Sequence, residues 1–306
     1  MKYDYKAPPV VLEILLCIDE KGQLGTYFCN SDRQSSFIPP QPEEPPVIYH
    51  YCNTEVAFKI INTKTIWLSD LFQTNDSKEV IWFLEQFSTY ANSLSLNNLE
   101  RQKITYLYWI FRLNLMWGFA ACFTSLEDDI NQWVKYGDNG QGIALGIYSK
   151  DLHITRNLPE RHAEGECQER ALALIQVDYD EQAQLSLIKE IINEALYNHL
   201  DLSSAGLALA KIAYTCKKQC WHSEQEWRIL YTPFQQYNPY PNKSKSLISP
   251  INNLTQTKKY AAFHLSPNMF AEIILGPKCP LSIQDVMQRL PKDYVYEIMR
   301  SQTSLR

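Results

Sequence analysis

The sequence predicts an α+β protein, and three observations support this fold class. Segments rich in β-branched and aromatic residues are unevenly spaced, with helix-period segments inserted between them, so the regular alternation typical of a parallel α/β sheet is missing. Glycine is scarce, at 10 of 306 residues, and no glycine-rich turn joins a strand to a helix, which argues against a Rossmann fingerprint or phosphate-binding loop. A hydrophobic content of 45% and a charged content of 21% are typical of a globular chain.

The domain organisation follows from the distribution of proline. Residues 1–37 predict a short β-rich N-terminal extension, with strands near 10–18 and 24–29. A proline-rich linker at 38–46 follows, and such a run is extended and semi-rigid. The main α+β domain is therefore predicted to span 47–306.

The elements of the main domain are predicted from hydrophobic periodicity and capping signals. Runs of valine, isoleucine and aromatic residues predict strands, and polar residues before apolar-periodic segments predict helix starts, as at Asn53 or Thr54. In chain order, we expect strands near 47–51, 66–68, 120–125, 142–148, 174–179, 224–232, 260–265 and 272–276. The expected helices lie near 54–61, 77–91, 99–117, 181–199 and 203–219, with a short one after Asp128 and another after Ser282. In helix 99–117, an aromatic stripe of helical spacing (Tyr106, Trp109, Ile110, Leu113, Trp117) is expected to belong to the core.

Charge and cysteine usage exclude several classes of function. A net charge of -5, from 29 basic and 34 acidic residues, argues against broad affinity for nucleic acid or for an anionic membrane. The apolar run at 10–17 is too short for a membrane span or export signal, so we expect a cytoplasmic protein whose cysteines are free thiols. Cys216, Cys220 and His222 lack a second pair at ligand spacing, so no metal is favoured.

Two acids one residue apart, Glu224 and Glu226, form the most informative feature of the chain. They precede aromatic and β-branched residues, so we expect them at the start of a strand with both carboxylates on one side. Two neighbouring carboxylates repel each other, and one of them is then expected to ionise late, as at many functional sites. The alternative is an edge strand with a solvated acidic start and Arg228 as a partner. The segment by itself leaves both interpretations open.

Other polar positions have a functional and a structural interpretation. Asn75 and Asp76 with Glu79 can form a metal or phosphate contact, but helix capping explains them as well, and we favour the cap. Hydroxyls of Thr124 and Ser125 end a predicted strand, where they can bind a ligand or cap the next helix.

Six motifs form a joint pattern: Tyr49-His50-Tyr51, Asn75-Asp76-Ser77-Lys78-Glu79, Cys122-Phe123-Thr124, Trp133 to Tyr136, Lys217 to Arg228 and Ile273-Ile274-Leu275-Gly276. With this pattern the chain resembles a bacterial domain family of unknown function, family 2971, over roughly residues 47–280. Ser77 stands where that family usually has a proline.

A more distant resemblance is to ADP-ribosyltransferases. These enzymes carry an Arg or His on one strand, hydroxyls on a second and a Glu-x-Glu or single Glu on a third, and His50, Thr124-Ser125 and Glu224-Gln225-Glu226 follow that order. The resemblance implies an ADP-ribosyltransferase-like fold, a mixed split sheet with inserted and flanking helices. Two departures are Phe123, where the first hydroxyl would stand, and the long helical insert at 181–219.

The same resemblance implies an enzyme that uses NAD as a substrate, either an ADP-ribosyl transferase or an NAD glycohydrolase in a toxin or antiviral-defence system. The implied roles are charge stabilisation by Glu226, acceptor orientation or base catalysis by Glu224, ribose or pyrophosphate contact by His50, stacking by Tyr51, and pocket shaping by Thr124 and Ser125. The acceptor is not specified. A second hypothesis is a metal-dependent nuclease that uses Asp76, Glu79, Glu224 and Glu226. A third is a non-catalytic binding module with an aromatic surface.

Overall fold

The structure is a computed structural model that describes residues 13–18, 24–29, 44–71, 77–159, 171–197, 201–233, 252–253, 259–292 and 297–305. Within 13–18, 24–29, 77–79 and 252–253 the description is of the backbone. The linker expected at 38–46 therefore lies mostly outside the described residues, and so do Asn75, Asp76 and the side chain of Glu79.

The strands and helices form an α+β fold, as predicted. The strands are β1 (Glu13–Ile18), β2 (Leu24–Cys29), β3 (Val47–Cys52), β4 (Thr65–Asp70), β5 (Phe119–Thr124), β6 (Ile143–Tyr148), β7 (Leu172–Gln176), β8 (Glu226–Tyr231), β9 (Asn252–Asn253), β10 (Lys259–His264), β11 (Phe270–Leu275) and β12 (Glu297–Arg300). The α-helices are α1 (Thr54–Thr63), α2 (Ser77–Ser93), α3 (Asn98–Asn114), α4 (Ile130–Lys135), α5 (Glu181–Tyr197), α6 (Leu202–Ala213) and α7 (Ile283–Arg289). Short 3-10 helices cover Leu115–Trp117, Asp138–Gly140, Ser149–Leu152, Gln219–Glu224 and Pro267–Met269.

Two sheets are present among the described residues. Strands β1 and β2 pair as an antiparallel hairpin. The main sheet follows the order β12-β11-β6-β3-β5-β4-β10-β9, with β8 paired to β5 and β7 paired to β8. Strands β11 and β12 are parallel and the other pairs are antiparallel, so the sheet is mixed.

The main sheet opens at β5, and this opening positions the site. Strand β3 pairs with the end of β5 through one residue pair, Tyr49 with Thr124. Strand β4 pairs with the start of β5 through Ser69 and Asp70. On its other side β5 pairs along its whole length with β8. Strands β3 and β4 therefore diverge beside the middle of β5, and a gap forms where the sheet splits.

Two layers of apolar side chains hold this sheet. One core joins α1 to alternate residues of the central strands, including Ile48, Phe123 and Ile229. A second core joins α2, α3, α5 and α6 to residues of the opposite parity, such as Ala120 and Leu230. Because successive strand residues point to opposite faces, the sheet lies between α1 and the four-helix layer.

The predictions of the elements need correction at several points. The stripe on α3 is not core: Tyr106, Trp109 and Leu113 are 50%, 53% and 49% exposed. The buried face of α3 instead carries Ile104, Leu107 and Phe111, and helical spacing alone does not say which of two apolar faces turns inward. The strand expected at 224–232 begins only at Glu226. Strands β9 and β12 were not predicted, because β9 has two residues and β12 has four.

None of the described helices combines the length and apolar character needed to cross a membrane.

Candidate functional site

A cleft of about 360 Å³ lies where β3 and β4 diverge from β5. Ligand pockets of proteins commonly have volumes of about 300 to 1,000 Å³. The lining combines aromatic and small apolar side chains with a cluster of charged groups. Its residues are Tyr49, His50, Tyr51, Trp67, Ser69, Leu71, Ala120, Ala121, Cys122, Phe123, Thr124, Gln132, Tyr136, Lys217, Glu224, Glu226 and Arg228.

The two glutamates reach the cleft by a route that the sequence did not predict. Glu224 ends the 3-10 helix, Gln225 adopts a left-handed backbone conformation with φ of 43°, and Glu226 begins β8. The turn at Gln225 breaks the strand alternation, so the shared side of the two carboxylates does not come from strand geometry. Both carboxylates nevertheless meet at Lys217, whose Nζ lies 3.0 Å from Glu224 Oε2 and 2.6 Å from Glu226 Oε2.

Glu226 is held as a carboxylate by two cations. Arg228 Nε donates to Glu226 Oε1 at 2.6 Å, and Lys217 binds the other oxygen. Burial by itself raises the pKa of Glu226, but the charges of Arg228 and Lys217 and the hydrogen bonds from Arg228 and Cys122 outweigh it and lower the pKa to about 2. The expectation that one acid of the pair ionises late is therefore wrong for Glu226. The interpretation as an edge strand with a solvated start is also wrong, because β8 lies between β5 and β7 and Glu226 is 4% exposed. Its proposed partner, Arg228, is confirmed.

Glu224 belongs to the same network but has a different set of donors. The Tyr136 hydroxyl donates to its Oε1 at 2.7 Å, and Lys135 Nζ lies 3.2 Å from the same oxygen. Lys135 and Lys217 also approach the ring of Trp221, at 4.8 and 5.8 Å from its centroid. Both oxygens of Glu224 are thus hydrogen-bonded within the protein, and its side chain has a fixed position in the wall of the cleft.

Lys217 is positioned by backbone hydrogen bonds. Its N–H donates to the carbonyl of Asp178 at 2.9 Å, next to the parallel bridge between Asp178 and Cys216. The side chain is 3% exposed. A buried lysine is costly unless it is paired, and the two glutamates supply that pairing.

His50 lies on the opposite face of β3 from Tyr49 and Tyr51 but lines the same cleft, because the sheet is open at this point. Its Nδ1 lies 2.9 Å from the carbonyl oxygen of Cys122. A carbonyl oxygen only accepts, so Nδ1 carries the hydrogen of the neutral ring. Burial lowers the pKa of His50, against the opposing effect of this hydrogen bond.

The side chains of the other predicted site residues are engaged in contacts within the protein. Thr124 lines the cleft, and its hydroxyl donates to the carbonyl of Glu224 at 2.7 Å. Ser125 is not among the lining residues, and its hydroxyl donates to Gln225 Oε1 at 2.8 Å. Tyr51 is 6% exposed, and its ring packs edge-on against Trp133 at 4.7 Å. The hydroxyls of Thr124 and Ser125 therefore fix the turn that carries the glutamates, and little of the Tyr51 ring is left for stacking.

Cys122 was not singled out by its chemistry in the sequence, yet its side chain is exposed to the cleft. Burial within the cleft and the negative charge of Glu226 raise the pKa of its thiol. The thiol donates a hydrogen bond to Glu226. Cys122 therefore acts here as a neutral donor, since a reactive thiolate requires a lowered pKa.

The metal-dependent alternative requires carboxylates that are available to a metal ion. The carboxylates of Glu224 and Glu226 pair with lysine and arginine, which a metal ion would have to displace. Within the described residues, no group of three or more His, Cys, Asp or Glu side chains is arranged to hold a metal ion. Asp76 and the side chain of Glu79 lie outside the described residues, so the four-carboxylate site stays a prediction.

The sequence had named Lys217, Tyr136 and Arg228 as parts of motifs but had given the first two no role. Their signal in the sequence is membership of the two motifs: Lys217 lies seven residues before Glu224, and Tyr136 ends the Trp-x-x-Tyr motif. No local pattern shows that these segments converge, because the contacts from Tyr136 span 88 residues.

The comparisons with known proteins concern the charged half of the cleft. Residues 132–229 match the model of a family described as "Protein of unknown function (DUF2971)". This range contains Gln132, Tyr136, Lys217, both glutamates and Arg228, whereas His50 and Thr124 precede it. No curated protein and no solved structure matches the chain. The similarity to ADP-ribosyltransferases stays a prediction, while the predicted resemblance to the DUF2971 family is confirmed over residues 132–229, which match that family's model.

Proposed function

We propose that the protein is an NAD-using enzyme, either an ADP-ribosyl transferase or an NAD glycohydrolase. The observation that carries this proposal is a permanently ionised carboxylate, Glu226, in a cleft at the split of the sheet that His50 also lines. The order of the strands that supply His50, Thr124 and Glu226 is the order that the ADP-ribosyltransferase resemblance requires.

The proposed chemistry places Glu226 next to the nicotinamide ribose. The bond between ribose C1′ and the pyridinium nitrogen breaks, and its electron pair leaves with neutral nicotinamide. The positive charge that develops on the ribose is stabilised by the carboxylate, which also accepts a hydrogen bond from a sugar hydroxyl. A pKa near 2 keeps Glu226 anionic throughout the physiological pH range. Water, or the hydroxyl or amine of an acceptor, then forms the new bond to C1′ and loses a proton.

The positive partners of Glu226 give it a fixed orientation. Arg228 and Lys217 hold one oxygen each at 2.6 Å, so no reorganisation is needed as charge develops on the substrate. Glu224 is proposed to orient the acceptor, because the Tyr136 and Thr124 contacts fix its side chain and its carbonyl in the wall of the same cleft.

The test is incubation of the purified protein with NAD labelled in the nicotinamide ring and, separately, in the adenosine half. We expect the wild type to release nicotinamide and Glu226→Gln to lower that rate on the order of 10² to 10³-fold. Glu190→Gln is the matched control, since it makes the same change at an exposed position of α5 and should leave the rate unchanged. Thermal unfolding of each variant separates loss of chemistry from loss of fold.

The outcomes distinguish the hypotheses. Label transferred from the adenosine half to a protein indicates transfer, and free ADP-ribose indicates hydrolysis. Binding of NAD without release of nicotinamide would favour the non-catalytic binding module. No release of nicotinamide by the folded wild type would refute the proposed function.

A further inference from the structure

We propose that His50 Nε2 is the general base of the cleft, which takes the proton of the water or acceptor that attacks ribose C1′. This inference rests on the proposed function but assigns His50 a role other than the ribose or pyrophosphate contact that the sequence resemblance implies.

The two carboxylates are poor candidates because of their contacts. Glu226 has a pKa of about 2 and is bound by Arg228 and Lys217. Glu224 accepts from Tyr136 and Lys135 on one oxygen and from Lys217 on the other. A general base works best when its pKa lies near the operating pH, and a carboxylate with a pKa near 2 is far from it.

His50 has the opposite set of properties. Its Nδ1 hydrogen is donated to the carbonyl of Cys122, which fixes the tautomer and the plane of the ring. The ring of Phe123 lies 5.6 Å away and packs at an angle of 56°. The Nε2 atom has no hydrogen-bond partner among the described residues, and the histidine lines the cleft. The arrangement therefore leaves one lone pair of a neutral imidazole for a ligand.

The proton balance of the step is complete. As the C1′–O bond forms, the attacking water gives its proton to Nε2, and the ring becomes an imidazolium whose Nδ1 hydrogen still points at the Cys122 carbonyl. The proton then passes to solvent and the neutral ring is restored. The carbonyl is a favourable partner for both states of the ring, since it accepts in each.

Other titratable groups near His50 could also affect the pH profile of the reaction. The cleft contributes Cys122 from β5, Glu226 and Arg228 from β8, and Lys217, Glu224 and Tyr136. Burial raises the pKa of the Cys122 thiol, and Glu226 titrates near pH 2. Burial raises the pKa of Asp178, whose carbonyl binds the backbone of Lys217, to about 6. Asp178 is present in the wild type and in the His50 variant alike, so the difference between their pH profiles isolates His50.

The test is His50→Asn. Asparagine carries an amide nitrogen near the position of Nδ1, which can still donate to the Cys122 carbonyl, but it has no atom that replaces Nε2. We expect kcat for nicotinamide release to fall on the order of 10²-fold or more, with NAD affinity by calorimetry close to that of the wild type. The acidic limb of the wild-type profile, where the rate falls as His50 becomes protonated below its lowered pKa, should disappear. His153→Asn is the matched control, because His153 is exposed and has a left-handed backbone with φ of 51° that asparagine tolerates well.

Three results would overturn the inference. A wild type that releases no nicotinamide overturns both this inference and the proposed function. An active wild type with a His50→Asn variant that keeps its rate and its acidic limb overturns the base alone. A variant with unchanged kcat and a raised KM shows that His50 binds NAD, as the resemblance implies, and does not act as the base.

Discussion

Glu226 should link the stability of the fold to pH, and the size of this linkage follows from its pKa. The pKa of about 2 in the folded protein compares with an ordinary value of 4.5. A lowered pKa stabilises the fold where the group is ionised in both states, above about pH 4.5, and the stabilisation is lost as pH falls through 2. The shift of about 2.5 pKa units corresponds to a total of about 3 kcal/mol in the free energy of unfolding. About 2 kcal/mol of this is lost between pH 6.5 and pH 3.

The assay is urea unfolding at a series of pH values, followed by tryptophan fluorescence, for the wild type and Glu226→Gln. Other acids titrate in both proteins, so the difference between the two free energies of unfolding isolates Glu226. We expect that difference to become about 2 kcal/mol less favourable to the wild type between pH 6.5 and pH 3. Glu190→Gln should follow the pH dependence of the wild type. If the free energies of unfolding of the wild type and Glu226→Gln stay parallel over this range, Glu226 does not carry this pH dependence.

Three further predictions concern residues away from the cleft lining. Burial raises the pKa of Asp178 to about 6. Its Oδ2 and the Oε1 of Gln184 are buried and have no donor among the described residues, so the ionisation of Asp178 costs stability as pH rises from about 4 to 6. Asp178→Asn should raise the free energy of unfolding at pH 7 on the order of 2 kcal/mol, and urea unfolding with no gain at pH 7 contradicts this. Gly118→Ala places a methyl group about 2.3 Å from the buried ring of Tyr214 and should cost about 1 to 3 kcal/mol by overpacking; an unchanged thermal midpoint would show that the ring yields. Asp128 accepts hydrogen bonds from the indole of Trp133 and from four groups of residues 301–303, so Asp128→Asn should increase hydrogen exchange in residues 301–305, and equal exchange in both proteins argues against that anchoring.

Much of the fold could be predicted from the sequence because most elements carry strong local signals. Asn53 caps α1 through the backbone of Val56, and the prediction of that helix start is confirmed. The failures have two physical causes. Apolar residues on α3 lie on two faces, and tertiary packing selects the face of Leu107 over the face of Trp109. Strands β9 and β12 are too short for periodicity to show.

The residues of the site could be predicted from local motifs, but their arrangement could not. The sequence identified His50, Thr124 and the glutamates, and the structure brings all of them to one cleft. It did not predict that a left-handed residue, Gln225, separates the acids, because glutamine has no special preference for that conformation. Nor could it predict the neutralising role of Lys217, since pairing of buried charges depends on segments that converge only in the folded chain.

The use of NAD and the role of Glu226 are tested together by the rate of nicotinamide release from NAD by the wild type and by Glu226→Gln, measured at pH 7 on samples shown to be folded. We expect release by the wild type and a rate for the variant that is lower on the order of 10² to 10³-fold, with the Glu190→Gln control unchanged. Equal rates for the wild type and the variant would contradict the role of Glu226, and no release by either protein would contradict the proposed use of NAD.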